Sequence, residues 1–240
     1  MAQDEGKKGA DRHILSRFDG DLGYFRGLVL DMGRRVRDQV ALASEALYTC
    51  DVVKARKVIH DHRQIRDLDM DALEANARLF AIHQPVARDL RFVLTLSRAV
   101  YDLERIGGEA VRIADLAESL YDYQPSVRDC GIFEDMRRIT PPAIDLLDRS
   151  LQAVAEEDVP LAVNVALEGK DIEALFKGSL RRLATFLMED PRNIRWVIDA
   201  TLGVKAMERV GDHACSIARN LIYSVTGRDV RHMNVASLAP

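Results

Sequence analysis

The chain has 240 residues and a mass of 26.9 kDa, enough for one large domain or two small ones. Hydrophobic residues make up 48% and charged residues 30%, a core-forming composition that excludes wholesale disorder. Lys and Arg number 34 against 38 Asp and Glu, for a net charge of -4; this argues against counterion release as a driving force, so nucleic acid is not an expected partner. No apolar run approaches the ~20 residues of a membrane-spanning helix. The opening MAQDEGKKGADR has no apolar segment of the kind that marks secretion. Three cysteines (Cys50, Cys130 and Cys215) without CxxC spacing are expected as reduced thiols in a cytosolic protein.

Periodicity predicts helices throughout. From Leu22 the apolar positions run Phe25, Val29, Met32, Val36, Val40, Ala43 and Leu47, in steps of three or four. Asp51 is suited to cap a second helix running towards Gln84, and Pro85 suits the first turn of a third. That third helix carries the stripe Val93, Leu96, Val100, Leu103, Gly107, Ala110, Ala114 and Ala117, whose small lower end admits a close neighbour. A break is expected at Tyr121–Pro125, and Asp129–Gly131 precedes a fourth helix, in which Pro141 and Pro142 predict a kink or a late start. Asp158 is expected to cap the fifth, Pro191 to open the sixth and Gly227 to end it. Six helices, most of about 30 residues and roughly 45 Å long, make tall bundles.

The chain repeats itself. Asp89–Ala114 laid on Asn193–Ala218, an offset of 104, gives nine identities in 26 positions without a gap, among them Arg91/Arg195, Glu104/Glu208, Arg105/Arg209 and Gly107/Gly211. Upstream the offset is 107 and pairs Asp51/Asp158, Ala55/Ala162, Val58/Val165 and Ile65/Ile172. The expected fold class is therefore all-α, two tandem three-helix bundles related by internal duplication. The expected units are residues 16–122 and 130–227, flanked by a flexible N-terminal tail (1–15) and a C-terminal tail (228–240).

The best-repeated stretch also holds the candidate chemistry. Glu208 and Asp212 lie four apart on one helical face, where like charges repel unless a cation neutralises them. Oxygen ligands at that spacing suit Mg, Mn, Ca or ferric iron, and zinc less selectively. Gly211 between them lets a helix or an ion approach. The alternative is a solvated face in which Lys205, three residues earlier, pairs with Glu208. In the first unit Glu104 remains but Gly108 replaces the second acid; Asp102 and Glu109 supply carboxylates on another stripe. His62, Asp69 and Asn76 form a polar stripe at seven-residue spacing, readable also as the wet edge of the bundle. His213, beside Asp212, is readable as a ligand or as a structural residue. There is no Gly-rich phosphate loop, no GxSxG and no HExxH.

At LERIGGEA, AIHQPVARDLRFV, MEDPRNI and MERVGDHACSIARNLIYSVTGRDVRH the chain is similar to the PhoU family. The resemblance implies two similar three-helix bundles in a cytoplasmic homodimer without enzymatic activity. It implies a regulator that joins the ATPase subunit of the phosphate ABC transporter to a membrane sensor histidine kinase and represses the phosphate-starvation response. Contact with the membrane is then only through those partners. It also implies metal ions (iron, manganese, magnesium or zinc) on the bundle surface through E(D)xxxD motifs. On that basis the candidate ligands are Glu208, Asp212, Glu104, Asp69, Glu173 and Asp102, with His62 and Gly169 standing where acids are common. A carboxylate-bridged metal bundle with an enzymatic or metal-buffering role is the alternative. It calls for Glu-x-x-His pairs, whereas the histidine beside Glu208 is five residues on.

Overall fold

A computed structural model describes the backbone of residues 2–121 and 132–230, with side chains for 16–120 and 133–230. Among these residues the chain is helical throughout and has no strand: α1 (Ala2–Thr49), α2 (Val52–His83), α3 (Ala87–Tyr121), α4 (Ile132–Glu156), α5 (Val159–Glu189) and α6 (Ile194–Thr226). Helices α1, α2 and α3 pack pairwise into one bundle, and α4, α5 and α6 into another. Backbone in the expected break after Tyr121, and beyond residue 230, lies outside the described residues. No helix among them is long and apolar enough to cross a membrane.

The predicted stripes are the core. Phe25, Val29, Met32, Val36, Val40, Ala43 and Leu47 of α1 are all buried, as are Val93, Leu96, Val100, Leu103, Ala110, Ala114 and Ala117 of α3. Burial of each large side chain contributes about 1.5–3 kcal/mol, and it is this packing that holds long helices in place. Their ends are set by local chemistry. Asp51 accepts from the backbone N–H of Val53 and Lys54 at 3.0 and 3.1 Å, and its repeat-mate Asp158 accepts from that of Leu161 at 2.9 Å. Gly227 ends α6 in the left-handed region, φ 71°, and its N–H reaches Tyr223 O at 2.8 Å.

Proline departs from expectation at Pro85 and Pro191, and at Pro141 and Pro142 one of two alternatives is excluded. Pro85 stands before α3: Gln84, at φ 44°, caps α2 through Phe80 O, and the chain needs Pro85 and Val86 to turn before Ala87. Pro191 opens a 3-10 turn, Pro191–Asn193, with Asp190 accepting from the Arg192 N–H, and α6 follows from Ile194. Pro141 and Pro142 lie inside α4, which begins nine residues earlier at Ile132, so of the expected kink or late start the late start is excluded.

The two bundles meet chiefly along α3 and α6, with α1 against α4 beside them. The α3–α6 contact is antiparallel: Arg91 Nε donates to Ser224 O at 3.0 Å, Thr95 Oγ1 to Asn220 O at 3.0 Å, and further along Arg209 Nη1 to Glu109 Oε1 at 3.2 Å. At its far end Gly203 lies against Leu116; a Cβ there would stand 2.2 Å from Leu116 Cδ2. On α1, Tyr48 donates to Met136 O at 3.0 Å and bonds Thr140 Oγ1 at 2.6 Å.

Two glycine substitutions are expected to have opposite signs in urea unfolding. Gly203→Leu overfills the seam and lowers stability by about 1–3 kcal/mol. Gly108→Ala, at a helix position with open space around it, raises it by about 0.5–1 kcal/mol.

Candidate functional site

In the second unit the acidic pair is real but compensated from within. Glu208 is buried, its side chain 7% exposed, and it accepts a hydrogen bond from Lys205 Nζ one turn earlier on α6. The same ammonium lies 4.9 Å from the ring centroid of Phe176 on α5, within cation–π range. Asp212, four residues on, is exposed. Partial desolvation, and then the charge of Glu208, push its carboxyl above the ordinary range; Lys205, His213 and Arg219 pull the other way. Glu173 on α5 bonds Lys177 Nζ at 2.6 Å. That bond holds its carboxyl low, with Lys205 and Lys170 adding smaller pulls.

Two glycines show what the close approach on this face serves. A Cβ on Gly211 would meet Ile172 Cγ2 at 3.1 Å, and one on Gly169 would meet Cys215 Sγ at 2.6 Å. The space beside Gly211 is therefore used by α5. Position 169, where an acid was a candidate, has no room for a side chain while Cys215 is in place. Cys215 itself is buried, donates to Val165 O at 3.4 Å, and is pushed up to about 11 by burial, so it stays a thiol.

In the first unit Asp69 of α2 and Glu104 of α3 line one cleft of about 620 Å³ together with Arg66, Asn76 and Tyr101. Burial and then the charge of Glu104 raise the Asp69 carboxyl. Glu104 has the Arg105 guanidinium at 4.0 Å, and Gly108 contributes no ligand. His62, on the same stripe as Asp69, is 5% exposed, whereas His60 is exposed. Burial holds His62 below its ordinary value, helped by Arg66 and opposed by Glu104. Its Nδ1 and the Oε1 of Gln39 have no hydrogen-bond partner among the described residues. Both stand against Gly107, 3.2 and 3.4 Å from where its Cβ would be.

Asp102 belongs to neither face. It is buried in the α3–α6 seam, where its Oδ1 lies 2.9 Å from His213 Nδ1. Seven residues along, buried Glu109 bonds Arg112 of its own helix and Arg209 of α6. The repeat explains the pairing. Glu109 and His213 hold equivalent positions, as do Arg105 and Arg209. The mirror of Glu109–Arg209 would set Arg105 against an imidazole, a poor partner for a cation. Arg105 instead stacks over Tyr101 at 5.1 Å, and His213 takes Asp102.

The six candidate ligands thus occupy three places: Asp69 with Glu104, Glu208 with Asp212 and the neighbouring Glu173, and Asp102 in the seam. Among the described residues no three His, Cys, Asp or Glu side chains gather closely enough to hold a metal ion. Three of the six are already paired within the protein: Lys205 takes Glu208, Lys177 takes Glu173, and His213 takes Asp102. Sequence reasoning had the Lys205–Glu208 pair as an alternative; it missed Phe176 beneath the ammonium and the Asp102–His213 contact, both between helices.

A family model for the PhoU domain matches residues 29–117 and again 137–221, once in each bundle. The chain belongs to the PhoU family. It is 37% identical over 229 residues to the "Phosphate-specific transport system accessory protein PhoU homolog" of Pseudomonas putida, covering 95% of this chain and 88% of that one. The PhoU protein of Escherichia coli, named in the same way, is 31% identical over 93% of this chain and 91% of its own. Among solved structures, PhoU from Pseudomonas aeruginosa superimposes with a TM-score of 0.83 at 36% identity, covering 88% of this chain and all of that one. The regulatory protein PhoU from Streptococcus pneumoniae shares the fold, with a TM-score of 0.80 at 24% identity.

Two pH-dependent outcomes follow from these environments. His62 titrates near 6.5 when unfolded and lower when folded, so its contribution is complete above pH 6.5 and is lost as pH falls, because the unfolded chain takes the proton first. Urea midpoints are expected to decline from pH 7 towards pH 5, and His62→Gln to flatten that decline. Asp212 has the opposite sense: its folded value is raised, so ionisation above about pH 4 costs stability. Asp212→Asn is expected to raise the melting temperature modestly at pH 7 and to leave it unchanged at pH 3. A metal ligand would give the reverse at neutral pH.

Proposed function

We propose that the chain is a regulatory adaptor of phosphate uptake: a cytoplasmic, homodimeric, non-enzymatic protein that restrains the phosphate-starvation response by linking the ATPase subunit of a phosphate ABC transporter to a sensor histidine kinase. The observation that carries this reading is the match of the PhoU domain to both bundles, together with relatives over nearly the whole chain that are named as accessory proteins of phosphate transport. The geometry suits an adaptor. Each bundle presents a broad helical face, and the same positions of the repeat are apolar and exposed on both: Leu73 and Leu180 on α2 and α5, Leu94 and Ile198 on α3 and α6. Ile194, Ile198 and Leu202 extend the second face at one-turn spacing, each more than half exposed. Apolar side chains held out of the core on rigid helices are what a protein partner can bury.

Co-purification of the full chain with the cognate ATPase subunit and sensor kinase tests the reading. Capture of both is expected, with alkaline phosphatase derepressed in phosphate-rich medium when the gene is deleted. Failure to bind either partner contradicts it. Leu94→Asp and Ile198→Asp, at exposed positions, are expected to weaken capture at least about tenfold while leaving the melting temperature within a few degrees of wild type.

A further inference from the structure

We propose that Lys205 is the resident cation of the second acidic face, its ammonium standing where a metal ion would otherwise neutralise Glu208 and Asp212. This stands apart from the adaptor reading. Two carboxylates one turn apart need a positive charge between them or nearby, and one is built into the same helix. Lys205 Nζ bonds the buried Glu208 carboxylate and rests over Phe176, so it is fixed on two sides, by an anion and by a ring face. Its charge also pulls on Asp212 of α6, which desolvation and Glu208 keep raised, and on Glu173 of α5, whose main partner is Lys177. One ammonium thereby bonds Glu208 directly and acts at longer range on the other two candidate ligands of this unit.

The duplication shows that this arrangement is particular to the second unit. By the repeat, Lys205 corresponds to Tyr101, Phe176 to Asp69, and Glu173 to Arg66. In the first unit the cation beside the acids comes from α2, as Arg66, and an acid stands where the second unit has the aromatic platform. In the second unit the cation has moved to α6 and the platform to α5. The two faces thus carry their nearby cation at different positions of the repeat and on different helices. For a divalent ion to bind Glu208 it has to displace the ammonium and face its repulsion, a cost that grows in a partly desolvated setting.

Full-length protein stripped with a chelator and dialysed against Mn²⁺ or Zn²⁺ at pH 7 tests this directly. Lys205→Met is expected to bind Mn²⁺ or Zn²⁺ at least about tenfold more tightly than wild type, since a positive charge a few ångströms away is removed. Adding Asp212→Asn to Lys205→Met is expected to abolish the gain. Circular dichroism and thermal melting establish that each variant is folded. Should Lys205→Met unfold, Lys205→Gln keeps the length and polarity of the side chain without its charge and is expected to show the same gain. Affinities for wild type and the charge-removed variant within about twofold of each other, whether both bind or neither does, overturn the proposal. So does a gain that survives Asp212→Asn.

Discussion

The antiparallel contact between α3 and α6 is the constraint from which the rest of the molecule follows. These helices carry the best-preserved part of the duplication, and they face each other across the boundary between the two bundles. Gly203 brings them close enough for Leu116 to fill the space of a missing side chain. Buried carboxylates at Asp102 and Glu109 of α3 take partners from α6, so the second unit supplies partners to charges buried on the first. Losing one partner of such a pair leaves a desolvated charge behind, which costs far more than the pair contributes when intact. Helices α1 and α2 then pack on α3, and α4 and α5 on α6.

Around that seam the two units have diverged in the same chemical currency, the placement of single charges. Glu109 in one copy is His213 in the other, and the change re-routes a pairing across the seam. On the outer faces Tyr101 has become Lys205, Asp69 has become Phe176 and Gly108 has become Asp212. Each replacement changes the local charge by one unit, and apart from Glu104 and Glu208 the cation and the acids of the two faces stand at different positions of the repeat. A face that carries its own cation has the Glu208 charge compensated from within. The duplicated apolar positions, Leu73 with Leu180 and Leu94 with Ile198, make two similar but unequal exposed surfaces.

Much of this architecture was legible in the residues. Helical periodicity located the core of α1 and α3 side chain by side chain, because a stripe at steps of three and four has only one way to be buried. The caps at Asp51, Asp158 and Gly227 were legible because each is a local event, one side chain or one backbone angle. Pro85 and Pro141 were less so: a proline limits its own φ and removes one donor, but the backbone on either side decides where the helix begins. The site was legible only within single helices. Glu208, Asp212 and Lys205 share α6, so their spacing shows their proximity. Asp102 with His213, and Lys205 over Phe176, join residues on different helices, and helix rotation and register fix those contacts. The best-repeated stretch lies on α3 and α6, the two helices that the fold sets against each other.

Amide hydrogen exchange along the denaturant series tests the central claim most directly. If the α3–α6 seam unites the bundles, amides from Leu103 to Ala114 and from Met207 to Ala218 exchange slowest in the chain. They also open together, with the free energy and denaturant dependence of global unfolding. Protection lost in one helix well before the other, or two separate openings of different size, would contradict it.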